Sequence, residues 1–230
     1  MTTAPRNSRT DESPPRRGPG RPAVPLDRII ATALRIVDEQ GADALTMRSL
    51  AQALDSGTST LYRHFVNRDE LVAQVVDRAF GEAALAPDQL GPPGWQEACR
   101  VQARTMFDAL ARHRNLAPLL VQQVVTGPNA MLIRERSIAN LLDNGFAPHL
   151  AARSYATIAR YILGFAIQLA GQAESEDDPE QAAALRAADP TRYPATAEVS
   201  GSLPVPLEDE FDFGLELLLT GLSQLRDNQR

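Results

Sequence analysis

The sequence predicts an all-α protein. Apolar residues return every three or four positions in one segment after another, and no stretch alternates with the period of two that a strand would show. Capping residues open several of these stripes, and Gly or Pro closes them.

Residues 1–24 are rich in Pro, Arg, Ser and Gly, have almost nothing to bury, and are expected to form a disordered basic extension. Pro25 and Asp27 suit a first helical turn, and Leu26, Ile30, Ala33, Leu34 and Val37 form a stripe that ends before Gly41. Thr46 can cap a second helix with Met47, Leu50, Ala51 and Leu54 inward. Asp55-Ser56-Gly57 then makes a tight connection to a short third helix, where Leu61 and Phe65 share one face. Asn67 followed by Glu70 resembles a capping box for a fourth helix through Leu71, Val75, Val76 and Phe80. Beyond a Pro/Gly-rich patch at 86–94, helices are expected near 95–113, 115–126, 130–144, 148–173 and 207–226. Residues 174–206 are acidic and rich in Ala and Pro; apart from a short helix near 179–188 they read as a mobile loop. The organisation is thus an extension (1–24), a helix-turn-helix unit (25–71) and a larger helical unit (72–230).

Composition narrows the function. No apolar run is long enough for a signal peptide or membrane span, so the expectation is a soluble cytoplasmic protein with no membrane partner. A single cysteine, Cys99, rules out an internal disulfide, and three scattered histidines argue against a metal site. No phosphate-cradling glycine loop and no nucleophile with an evident base is present, so neither an enzyme nor a cofactor is expected. All 23 basic residues are arginine, a bias that owes more to genome composition than to function. The net charge is −6, but residues 1–36 carry a local +4 and residues 71–230 a local −7. The field that suits nucleic acid therefore sits at the N-terminal end.

The stretch GTSTLYRHFVNRDEL, residues 57–71, concentrates the functional signal. A helix, a tight turn and a short helix supported by a preceding one form the layout of a helix-turn-helix. Such a second helix needs apolar anchors on one side only. Its other side needs short donors for phosphates and longer groups for base edges, the types that Thr58, Ser59, Thr60, Tyr62, Arg63 and His64 supply. Arg48 and Arg68 can flank them on phosphates. Taken alone, the same face also suits a merely solvated surface. RRGPGRP at 16–22 either lies in a narrow minor groove or is a solvated basic tail.

Residues 26–71, with the TLYRHF core followed by a polar cap and an acidic-Leu pair, closely resemble the DNA-binding domain of the TetR family of bacterial transcriptional regulators. GWQEACRVQARTMFDALARHR (94–114) and FDFGLELLLTGL (211–222) resemble the tetracycline-repressor type of C-terminal domain. The resemblance implies that Arg48, Thr58, Ser59, Thr60, Tyr62, His64 and Arg68 contact a double-stranded DNA operator, with Arg63 as base reader. It also implies a pocket lined by Gln102, Met106, Ser137 and Tyr155, although each could equally be plain core. Two positions depart in the turn: Asp55 stands where Gly is usual, and Ser56 where an apolar residue is usual. Two more depart at the pocket: Leu120 and Ala83 stand at or near histidine positions of the magnesium-tetracycline site. An unknown hydrophobic small molecule is the expected effector.

Glycine spacing adds a clue independent of family. Gly164 and Gly171, like Gly214 and Gly221, are seven apart, with Phe165, Leu169, Phe211, Leu215, Leu218, Leu222 and Leu225 alongside. Two such helices per subunit would make a four-helix homodimer interface, with Phe165, Leu169, Leu215, Leu218 and Leu222 in it. Burial of the last helix inside one subunit is the alternative. The combined expectation is a homodimeric regulator released from a palindromic operator by its effector. The alternative is a DNA-binding architectural protein with no effector.

Overall fold

The computed structural model describes residues 24–83, 94–121, 125–171 and 179–228. The RRGPGRP segment, most of the 86–94 patch and the start of the expected mobile loop lie outside them. Among the described residues there are eleven α-helices and no strand: α1 (Leu26–Gln40), α2 (Met47–Ala53), α3 (Thr58–Leu61), α4 (Arg68–Glu82), α5 (Trp95–Arg112), α6 (Ala117–Leu120), α7 (Pro128–Asp143), α8 (Pro148–Gly171), α9 (Pro179–Arg186), α10 (Pro194–Val199) and α11 (Leu207–Asp227). No described helix is long and apolar enough to cross a membrane.

Local chemistry sets the ends of the first helices. The Thr46 hydroxyl accepts from the Ser49 amide at 3.0 Å, and Ser49 Oγ accepts from the Thr46 amide at 3.0 Å, a reciprocal cap on α2. The same helix ends with Ser56 N–H donating to Ala51 O (2.9 Å) and Asp55 N–H to Gln52 O (3.0 Å), which forces Asp55 into the left-handed region at φ 49°. This is the two-bond helix stop that usually selects glycine, and aspartate is among the few side chains that tolerate it. Asn67 caps α4 by accepting from the Glu70 amide (2.9 Å), but Glu70 reaches back to the amide of Val66 (2.6 Å), one residue earlier than an ordinary capping box would place it.

Two cores result. The first joins α1, α2 and α3 to α4, with Ile29, Leu50, Leu61, Phe65 and Leu71 fully enclosed. It continues along α4 through Val76 and Ala79, so the boundary expected after residue 71 divides a helix that both units share. The second core, among α5, α7, α8 and α11, stacks Phe107 on Phe211 at 4.2 Å and sets Trp95 edge-on to Phe146 at 4.8 Å. On its surface Arg104 of α5 pairs with Asp212 (3.0 Å) and Glu208 (2.8 Å) of α11.

Two expectations need correction here. The short helix expected near 179–188 is present as α9, but the rest of the segment to 206 is not all loop: α10 and a 3-10 turn at Ser200–Ser202 lie in it. Pro179 and Pro194 each stand in a first turn, where proline's missing N–H costs nothing. And Leu215 faces inward, 1% exposed beside fully buried Phe211, so it belongs to the subunit core rather than to an interface. Gly214 serves that same inner packing. A Cβ there would lie 2.3 Å from the Tyr161 hydroxyl, which donates to Phe211 O at 2.6 Å. Phe165, Leu169 and Leu222 also lean on this core from its edge and are partly buried, and Leu218 is half-buried.

Candidate nucleic-acid interface and ligand cavity

The α3 segment turns its two anchors in and everything else out. Leu61 and Phe65 are enclosed in the first core. Thr58, Ser59, Tyr62 and Arg63 are exposed, Thr60 and His64 are half-exposed, and Arg48 is exposed on the adjoining α2. One face thus carries hydroxyls, a phenol, an imidazole and two guanidiniums, the donor set that phosphates and base edges require. The turn before it is not fully satisfied, since Ser56 Oγ is buried without a partner among the described residues.

Arg68 behaves differently from the flanking phosphate contact expected of it. Its Nε donates to Leu45 O (2.7 Å) and a terminal nitrogen donates to Ala42 O (3.1 Å). The side chain braces the start of α4 against the link between α1 and α2. That bracing is its principal contact here.

In the second unit the helices leave a cavity of about 350 Å³. Gln102, Met106, Ser137 and Tyr155 all line it. Their polar atoms differ in how far they are committed. Ser137 Oγ donates to Ile133 O of its own helix at 2.8 Å, whereas Gln102 Nε2 is buried with no partner among the described residues. Leu120, which the resemblance sets at a histidine position of the magnesium-tetracycline site, also lines the cavity, and Ala83, set near another, is wholly buried. Among the described residues no cluster of His, Cys, Asp and Glu could hold a metal ion. Cys99 is on the wall too; burial pushes its thiol up to about 11, against a smaller opposing effect from the Asn140 amide.

Sequence reasoning missed two residues here. Arg134 lines the cavity from α7, donating from Nε to the Tyr155 hydroxyl at 3.2 Å. Asp77 of α4 is buried, and its carboxylate accepts from the backbone amides of Ala130 (2.9 Å) and Asn129 (3.3 Å) and from the Asn129 side chain (3.0 Å). It thereby holds the first turn of α7, where the helix dipole favours an anion. The approach is so close that a Cβ on Gly127 would sit 2.3 Å from that carboxylate. A second joint lies nearby. His113 touches Asp38 of α1 and Glu82 of α4, each at 3.0 Å, and Asn115 donates to Val37 O and Asp38 O at the end of α1. The only advance signal for Asp77 was a carboxylate directly after the apolar pair Val75-Val76. For Arg134 there was none.

A helix-turn-helix with an outward polar face, joined through one shared helix to an all-α unit with a cavity, agrees with two family comparisons. The description "Bacterial regulatory proteins, tetR family" matches residues 29–75, and "Tetracyclin repressor-like, C-terminal domain" matches residues 86–226. The chain belongs to the TetR family. It is a DNA-binding transcriptional regulator of the bacterial type. This TetR-family chain is similar to the HTH-type transcriptional repressor DrrR1 of Streptomyces coeruleorubidus, at 31% identity over 94% of this chain and 83% of that one. It is similar to the tetracycline repressor protein class E of Escherichia coli, at 27% identity over 89% and 93% of the two chains. Among solved structures it superposes on apo ActR from Streptomyces coelicolor with a TM-score of 0.82 and 30% identity, covering 92% of this chain and all of that one. ActR has also been solved in complex with actinorhodin, where the TM-score is 0.78 at 30% identity, over 88% of this chain and 99% of that one.

Proposed function

We propose that this regulator is a homodimeric repressor, released from a palindromic operator when a small molecule enters the cavity. Arg48, Thr58, Ser59, Thr60, Tyr62, Arg63 and His64 would meet the operator, with Arg63 reading a base edge. Gln102, Met106, Ser137 and Tyr155 would meet the effector. The relatives named as repressors, and the ActR structure with a small molecule bound, support this reading. Its chief support is the joint at Asp77. One helix braces the reading unit at Arg68 and, nine residues on, grips the first turn of the helix that carries Ala130, Ile133, Arg134 and Ser137 along the cavity wall. An occupant that displaces α7 must move α4 or break the four hydrogen bonds between Asp77 and the first turn of α7. Moving α4 carries the α3 face with it, and a coupling of about 1–3 kcal/mol is the usual scale of such linkage.

Dimerisation would use the outer faces of α8 and α11. Phe213, Leu217 and Leu225 are 67%, 59% and 53% exposed along α11, and Ile167 is exposed on α8. A Cβ added at Gly164 or Gly221 meets nothing, so backbone could approach closely there. A groove between the two helices is lined by Leu217, Leu218, Leu222 and Leu225. The apolar face of α11, set beside a more polar α8 wall with His149, Arg153 and Thr157, suits a two-fold partner better than water. The test is selection of bound duplexes from a random library by the full-length protein, with light scattering on the complex. An inverted repeat bound by two subunits is expected; a single half-site bound by one subunit would overturn the reading.

A further inference from the structure

Arginine borders the cavity. Arg134 and Arg160 line it, and among the described residues no aspartate or glutamate does, in a chain where acids outnumber arginines 29 to 23. Elsewhere in the same unit arginine is neutralised: Arg100 forks onto Glu216, and Arg104 pairs with Asp108, Glu208 and Asp212. Arg134 is not neutralised in this way. It is half-buried, and its partners are the Tyr155 hydroxyl (3.2 Å), the carbonyl of Val125 (3.2 Å) and the Met131 thioether (2.8 Å), all uncharged. Among the described residues no carboxylate forms an ion pair with it. The guanidinium carbon also lies 5.9 Å from the centroid of the Tyr155 ring.

A half-buried guanidinium whose acceptors are all neutral lacks the carboxylate that pairs the other arginines of this unit. Its five N–H groups exceed the three acceptors present, so donors remain for an incoming group. Also on the wall, the Gln102 amide nitrogen is buried with no acceptor among the described residues. Much of the remaining lining is apolar, with Met106, Leu110, Ile133, Leu141 and Ile162.

We infer that the effector is a hydrophobic acid. Its apolar body fills the space between these side chains, its carboxylate or other ionised oxygen docks on Arg134, and a neutral acceptor oxygen meets Gln102. This rests on the reading of the cavity as the effector site. Arg134 then sets specificity, because a planar fork of donors beside an aromatic ring discriminates an anion from its neutral ester.

The test is titration of the full-length protein with matched pairs of acids and methyl esters: 2-naphthoic acid, anthraquinone-2-carboxylic acid and dodecanoic acid, each against its ester. Binding is read by calorimetry and by release of a selected operator duplex. The wild type should bind at least one acid about tenfold or more tightly than its ester. In Arg134→Gln that preference should collapse to near unity with ester binding retained, and Arg134→Lys should restore part of it. Retained ester binding also shows that the variant is folded. Esters bound as tightly as acids by the wild type, or a preference that survives in Arg134→Gln, would overturn the acid assignment and leave the sensor intact. Failure of every acid and every ester to bind the wild type would count against the sensor reading itself.

Discussion

The two units of this chain use the same material to opposite ends. In the first, short helices close completely: Ile29, Leu50, Leu61 and Phe65 fill one another's spaces, and the polar residues of α3 have nowhere to go but outward. In the second, longer helices converge on about 350 Å³ that no side chain fills, although large aromatic residues pack tightly on either side of it. Most of the residues around that space are apolar, so an occupant that covers them removes apolar surface from water. A unit built that way is incomplete without one. Rigidity suits a surface that must present fixed donors to DNA, and incompleteness suits a sensor.

The contrast breaks most visibly on α11, which has an apolar face for each kind of contact. Leu215→Arg should unfold the second unit, because it buries a charge with no partner beside Phe211. Leu217→Arg, two residues on and 59% exposed, should leave the fold intact and abolish association. Circular dichroism and size-exclusion light scattering separate the two outcomes. Equal effects would mean that the faces are not distinct. Next in size, Phe65→Ala should cost about 3–5 kcal/mol in denaturant unfolding, whereas Met106→Ala, already beside open space, should cost well under that.

How far the sequence showed this division depends on the range of each interaction. The Thr46 cap, the Asn67 cap and the strained place of Asp55 are decided within five residues and were legible. So were the α3 anchors, and the family resemblance placed four side chains on the cavity wall. What it could not show was set at long range. The partners of Arg68 are carbonyls 23 and 26 residues earlier, so a cation that looked free for phosphate is a brace. Both stripes of α11 are apolar, and periodicity cannot say which turns inward; Leu215 was therefore assigned to the wrong side. In the 179–206 segment two of the prolines, Pro179 and Pro194, open helices.

Two smaller predictions sharpen the comparison. Cys99 is on the cavity wall with its thiol pushed from 9.0 to about 11, so at pH 8 roughly a hundredfold less thiolate is present than at an exposed cysteine. Alkylation by iodoacetamide should be slower by about that factor in the native protein and become normal on unfolding. On the reading face, Arg63→Ala should cost about 1–3 kcal/mol on a selected operator and relax one base position per half-site. Arg48→Ala should instead lower the salt dependence by about one phosphate. Arg68→Ala should lower the stability of the first unit while leaving the salt slope nearly unchanged. A lost phosphate contact at Arg68 would restore it to the DNA-facing set.

The central claim is that filling the second unit disables the first through α4, and it can be tested without knowing the effector. Ser137 is small, half-buried and on the cavity wall, and its hydroxyl bonds to Ile133 O of its own helix. Ser137→Trp places an indole in the empty space. Fluorescence anisotropy on a selected operator should show affinity lowered by about tenfold, close to 1.4 kcal/mol and within the ordinary range of allosteric coupling, with the melting temperature unchanged or raised. Undiminished operator affinity in a folded Ser137→Trp protein, with the indole shown by its fluorescence to be buried in the cavity, would contradict the account.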